Sequence, residues 1–243
     1  EQIAKMIAKL KKNKLSSEAF LKKIQDDNFI TQEAAKYPKL LESLAKKESG
    51  VKYRLEGYLF LATYNVTDST TAETLIDQML AAMDKTMSRY YDVLATKNLT
   101  VHDVLTIASL VEKEGSTDQD RKNIASVFYN RLNQNMPLQS NIAILYAQGK
   151  LGQKTTLSED AAIDTNIDSP YNVYKNTGLM PGPVDNPSLS AIEATVNPVK
   201  TDYLYFVANT ETGKVYFATT YAEHEKNVEE HVNSKLTKPS SSN

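Results

Sequence analysis

Cysteine is absent from the 243 residues, which excludes disulfide bonds, thiol catalysis and thiolate metal sites. A surplus of one charge is absent too. Basic side chains number 28 against 30 acidic ones, a net charge of -2, and no concentrated basic face is visible of the kind that phosphate binding needs, so nucleic acid is excluded as a partner. No apolar run approaches the ~20 residues that cross a bilayer, and no leader sequence is visible. Gly-x-Ser-x-Gly elbows and Walker-type phosphate loops are missing, and the serines lack a histidine partner. His224 and His231 stand seven residues apart, outside the i, i+4 spacing of a helical metal pair. No metal or cofactor is expected.

What is present is ordinary globular material, 41% apolar, enough for one large or two modest domains. Glu1 to Met6 read as the inside of an amphipathic helix without an initiator methionine, so the sequence is expected to be a fragment whose anchor or export signal lies upstream. To about residue 50 the pattern predicts short helices with lysine-rich outer faces. Ile3, Met6, Ile7 and Leu10 form one stripe, Phe20, Leu21 and Ile24 another, with Ser16 and Thr31 as caps. Pro38 breaks the third segment, and a further helix can follow from Leu40 to Lys47. Val51 to Val66, with Tyr53, Tyr58, Phe60 and Tyr64, reads as strand-like or extended. Thr70 to Glu73 resembles a capping box, and Leu75 to Leu94 keeps helical spacing long enough to predict one long helix.

Leu105 to Gly115 is an apolar helix that ends in two acids and a glycine, with Thr100 and Asp103 available to cap its start. At about 100° per residue, Glu114 lies close to the direction of Ile107 and continues the inward stripe, whereas Glu112 points away. A carboxyl group there loses hydration and sits at the negative end of the helix dipole, and both effects raise its pKa toward the range a general acid needs. Gly115 is expected to end the helix in a left-handed conformation. Acids near helix ends are commonly solvated surface groups, so periodicity leaves both roles open for Glu114.

A second helix starts at Thr117 or Asp118, and Ile124, Val127, Phe128, Arg131 and Leu132 share a face of it. An arginine on such a stripe is costly unless it is paired or opens into a cleft. From Asn135 to Pro187 the chain is punctuated by prolines and glycines, a pattern typical of binding loops. Gln139, Asn141, Tyr171, Asn172, Tyr174 and Asn176 suit hydrogen bonding and stacking on sugars; turns are also built from asparagine, so the pattern permits either use. A short helix from Ser188 to Val196, a hairpin pairing 203–208 with 214–219, and a last helix from Tyr221 to Leu236 complete the chain.

Taken in order, Leu55-Glu56-Gly57-Tyr58-Leu59-Phe60, Ala108-Ser109-Leu110-Val111-Glu112-Lys113-Glu114, Ala125 to Leu132, Pro137-Leu138-Gln139-Ser140, Ser169 to Tyr174, Gly178 to Pro183 and Tyr203 to Val207 resemble the endolytic murein transglycosylases of the YceG-like (MltG) family. The sequence departs from the family pattern at Leu61 and Met180, where proline is usual, and at Asn141-Ile142-Ala143, where Asp-Pro-Thr is usual. The resemblance implies an α+β fold. Residues 1–68 would be a truncated LysM-like helical/β subdomain, 69–236 a mainly helical catalytic domain with a small β-hairpin, and 237–243 a disordered tail. It implies cleavage of the bond from N-acetylmuramic acid to N-acetylglucosamine with a 1,6-anhydro end. Glu114 would be the catalytic acid, and Asn130, Arg131, Gln139, Tyr171 and Asn172 would line the glycan cleft. It further implies the outer face of the cell membrane, an upstream anchor, and peptidoglycan synthases such as penicillin-binding proteins as partners. Two rivals stand beside it: a muramidase-type hydrolase in which Asp164 or Asp168 activates water, and a non-catalytic peptidoglycan-binding scaffold.

Overall fold

Most helices begin where a side chain meets the unbonded N–H groups of the first turn. The computed structural model describes residues 2–10, 14–153, 162–209 and 212–233; the expected tail 237–243, the end of the last helix and the hairpin tip at Thr210 and Glu211 lie outside these residues. The chain divides into two units, Glu1–Thr106 with Pro181–Leu189, and Ile107–Met180 with Ser190–Asn243.

The first unit carries α1 (Gln2–Leu10), α2 (Ser17–Lys23), α3 (Asp27–Lys36), α4 (Pro38–Leu41), α5 (Ala72–Met87), α6 (Tyr91–Lys97) and the first turns of α7 (Val101–Glu114). Ser16 caps α2 as expected, but α3 is capped by Asp26, whose carboxylate accepts from the amides of Asn28 and Phe29. Thr31 instead lies within α3 and donates to the Asp27 carbonyl. On α1, Ile3 and Ile7 are buried while Met6 and Leu10 face outward. The capping box at α5 sits one residue later than the sequence suggested, with Thr71 and Thr74 bonding reciprocally. The predicted long helix is two helices: Tyr90 N–H bonds the Met87 carbonyl in a tight turn. That turn keeps Met87, Tyr90 and Leu94 all buried, so the apolar spacing survives a break that spacing alone does not reveal.

Val51 to Val66 forms turns and irregular extended chain, with no strand among its residues. The reason is non-local. Gly57 takes φ +85°, and a Cβ on it would lie 2.4 Å from Pro183 Cγ. The Asn186 side-chain oxygen accepts from Gly57 N–H at 2.9 Å and from Leu59 N–H at 3.1 Å, occupying the donors a ladder would use. Beside them, buried Tyr58 is bonded through its hydroxyl to His102 Nδ1 at 2.9 Å, and His102 Nε2 meets the Pro181 carbonyl at 2.8 Å. A carbonyl only accepts, so Nε2 carries a proton.

The second unit takes the rest of α7, then α8 (Asp118–Asn133), α9 (Asn141–Ala147), α10 (Leu189–Val196, from Ser190 on), strands β1 (Tyr205–Ala208) and β2 (Val215–Ala218), and α11 (Tyr221–Val228), which continues as a π-helical turn over Glu229–Asn233. The strands pair antiparallel, Tyr205 with Ala218 through Ala208 with Val215, so the α+β class holds. Fully buried Phe128 of α8 meets Phe206 of β1 edge-on at 5.9 Å, which places the hairpin against α8.

Gly57→Ala combines a left-handed backbone with a clash against a proline ring. It is expected to cost about 3 kcal/mol, read as a lower urea midpoint with an unchanged slope; a midpoint within error of the parent would contradict this packing.

Candidate active site

Helix α7 delivers Glu114 on its last turn, as the inward stripe predicts. Thr100 and Asp103 bond reciprocally at its start, the Asp103 carboxylate accepting from Thr100 N–H at 3.0 Å and the Thr100 hydroxyl accepting from Asp103 N–H at 3.0 Å. Gly115 follows, but it is not left-handed. A Cβ there would fall 2.6 Å from Arg121 Cγ, so the residue is glycine because α8 crosses close behind it. Thr117 then caps α8 by accepting from Asp120 N–H.

The Glu114 carboxyl opens on a cavity of about 500 Å³ whose walls include Arg131, Gln139, Asn141, Tyr174 and His224. Although the residue keeps some contact with that space, enough protein surrounds the carboxyl for loss of hydration to raise its pKa. The Ser140 hydroxyl donates to Oε1 at 2.7 Å and opposes that rise. Ser140 is held in place because it also caps α9, accepting from Ile142 N–H at 3.2 Å. Glu114 is the one carboxylate on the cavity wall among the described residues; Asp164 and Asp168 do not line it.

Arg131 is buried and meets oxygens that carry no full charge. Its Nε donates to the Leu204 carbonyl at 2.6 Å, and Nη1 to the carbonyls of Pro137 and Leu138 and to Gln139 Oε1, each at 3.0 Å. The guanidinium also lies over the Tyr205 ring at 5.1 Å. Burial lowers its pKa from a value so high that the cation persists. Gln139 takes φ +54°, an uncommon conformation for a residue with a side chain and a form of backbone strain found at functional sites. Its side chain is turned to Arg131, and its N–H bonds the Val173 carbonyl at 3.0 Å.

Tyr174 donates to Asn141 Oδ1 at 2.6 Å, and its pKa is pushed up to about 12 by burial and by the charge of Glu114. His224 stacks on Tyr205 at 5.3 Å. Burial, then the Arg131 charge, lowers its pKa, so the ring is neutral at pH 7.

Of the six site residues that the family resemblance implies, Glu114, Arg131 and Gln139 meet at this cavity, together with Asn141 and Tyr174 from the polar loop set. The other three lie off its wall. Asn130 donates to the carbonyls of Thr201 and Tyr203. Tyr171 is buried against Tyr146, rings 5.0 Å apart. Asn172 clamps its own loop, donating to the Thr165 and Ile167 carbonyls and accepting from Tyr174 N–H. Ser140 and His224 were missed as site residues. A serine directly before an apolar helical run is a legible cap, but no spacing rule joins it to a glutamate 26 residues earlier.

A family model described as YceG-like matches residues 1–230. An endolytic murein transglycosylase of Streptococcus pneumoniae strain D39 is 66% identical over 239 residues, covering 97% of this chain and 43% of its own length. One from Bacillus subtilis strain 168 is 41% identical over 238 residues, covering 98% of this chain and 64% of the relative. The crystal structure of a YceG-like protein from Listeria monocytogenes superposes with a TM-score of 0.80 at 43% identity, over 93% of this chain and 71% of that one. The chain thus spans less than half the length of the pneumococcal relative.

A carboxyl group whose pKa rises on folding binds its proton more tightly in the native state, so ionising it removes stability as pH climbs past the ordinary value of 4.5. Glu114→Gln is therefore expected to melt no lower than the parent at neutral pH. Its advantage should grow as pH is raised from below that value and vanish in acid. Thermal melts across pH test this; a variant less stable than the parent at neutral pH would show that the carboxylate is favoured where it stands.

Proposed function

The chain belongs to the YceG-like family, and from that footing we propose that it is an endolytic lytic transglycosylase of peptidoglycan, with Glu114 as its acid and base. The observation that carries the reading is a largely enclosed carboxyl group, alone of its kind among the described residues on the wall of a cavity of about 500 Å³.

Glu114 in its protonated form gives its proton to the oxygen joining C1 of N-acetylmuramic acid to C4 of N-acetylglucosamine. The C1–O bond breaks, the N-acetylglucosamine end leaves as an alcohol, and positive charge develops at C1 and the ring oxygen. The carboxylate then takes the proton of the sugar's own C6 hydroxyl as that oxygen closes on C1. An anhydro ring forms, the acid regains its proton, and no water is consumed. Ring closure is intramolecular, so positioning replaces the second carboxylate that a glycosidase uses to activate water or to attack C1. Ser140 favours the ionised form that the second half-reaction needs, while burial favours the protonated form that the first needs. Arg131 and Gln139 shape the wall beside the scissile bond, and Asn130, Tyr171 and Asn172 support it from behind. Attachment to the membrane through an upstream segment, work beside peptidoglycan synthases and a LysM-like role for residues 1–68 belong to the same proposal and rest on family resemblance alone.

Glu114→Gln is expected to lower strand cleavage by about 10²–10⁴-fold while the protein stays folded. In the parent, activity should fall as pH rises through the elevated pKa of the acid. Mass spectrometry of products from uncrosslinked strands should find 1,6-anhydro ends. Reducing ends in their place would replace this mechanism with hydrolysis, and strand binding without turnover would replace the enzyme with a scaffold.

A further inference from the structure

The cavity at Glu114 does not stop at the side chains around the carboxyl. A second hollow of about 380 Å³ is lined by Tyr221, His224, Glu225, Val228, Glu229 and Asn233. Tyr221, His224 and Val228 line the Glu114 cavity as well. Their spacing of three and four residues puts them on one face of α11, so the two hollows share that face as a common wall. We propose that this face extends the substrate groove and holds hexopyranose units of the same glycan strand, beyond those lying at Glu114. The inference rests on the reading of the chain as a glycan-cleaving enzyme.

The chemistry of the face suits a sugar ring, which offers C–H edges to aromatic surfaces and hydroxyl and amide groups to polar ones. Tyr221 is 59% exposed, and its ring is held edge-on against Tyr205 at 5.8 Å, so a platform stands ready at the rim without needing to be ordered on binding. His224 lines both hollows, and its Nδ1 is buried without a hydrogen-bond partner. The imidazole thus stands beside the platform as part of the same wall. At the far end Asn233 donates to Glu229 Oε2 at 2.9 Å, fixing an amide and a carboxylate in one orientation. Cutting inside a polymer also requires that the chain run on past the scissile bond, so a groove open along α11 answers a need that a closed pocket would not.

Binding by strand length tests this, with uncrosslinked peptidoglycan strands of four and of eight sugars as probes and Glu114→Gln as the non-cleaving parent. The longer strand is expected to bind about tenfold more tightly than the shorter. Tyr221→Ala and Asn233→Ala, each added to Glu114→Gln, should reduce that advantage to about threefold or less. An advantage that survives both substitutions, or no dependence on length in the parent, would overturn the groove. Failure of the functional reading shows separately, as wild-type protein that leaves both strands uncut.

Discussion

Arg131 carries a positive charge into the interior of the second unit with no carboxylate among the described residues to meet it, and the cost of that burial is held down by four oxygens and one aromatic face. Those oxygens belong to Leu204, just ahead of β1, and to Pro137, Leu138 and Gln139, just ahead of α9. One side chain of α8 thereby fixes both the approach to the hairpin and the approach to the helix whose cap is Ser140. The absence of a partnering acid has a chemical consequence. A carboxylate placed to neutralise the guanidinium would add a second anion to the cavity, and mutual repulsion would raise the pKa of whichever acid was less solvated. With carbonyls as partners instead, burial raises the pKa of Glu114 and one hydroxyl, that of Ser140, opposes the rise.

The same economy appears around the phenols. Tyr205 receives Arg131 on its ring and His224 in a near-parallel stack, so a cation and a neutral imidazole share one aromatic neighbour. The Arg131 charge in turn helps keep His224 uncharged. Tyr174, with its pKa raised and its proton directed to Asn141, is a donor rather than an acid near neutral pH. Among the described residues, the wall of the cavity therefore combines fixed dipoles with one carboxyl group, the arrangement on which the proposed proton transfers draw.

Local chemistry was legible in the sequence and distant chemistry was not. Ser16, Thr117 and the Thr100–Asp103 pair announce their helices because a cap reaches only two or three residues. Glu114 was legible because the helical period from Ile107 to Glu114 lies within one element. Gly115 was recognised as a terminator for the wrong reason, since the crowding that demands glycine comes from Arg121 on the next helix. Val51 to Val66 looked extended because aromatic and branched residues fit a pleated surface, yet its donors are taken by Asn186, more than a hundred residues away. Asn130 and Asn172 suit a sugar site by residue type yet donate to neighbouring carbonyls, and Tyr171 packs against Tyr146, differences that depend on which groups lie within reach. Asn172 accepting from the N–H two residues on is turn chemistry of the ordinary kind.

His224 is the clearest instance of that limit, and it shows how the last helix enters the chemistry. Weighed by spacing against His231, it fits no metal pair, and nothing in its own neighbourhood points elsewhere. In three dimensions it lies on Tyr205, which lies under Arg131, which holds the loop leading to Ser140 and so to Glu114. The column is continuous through van der Waals contact and hydrogen bonds, and α11 stands at one end of it with Tyr221 and Val228 on the same face. The same face both packs on Tyr205 of β1 through Tyr221 and His224 and borders two hollows with a large aromatic ring at its rim, so one set of side chains anchors the helix to the hairpin and forms the wall that the proposed groove needs.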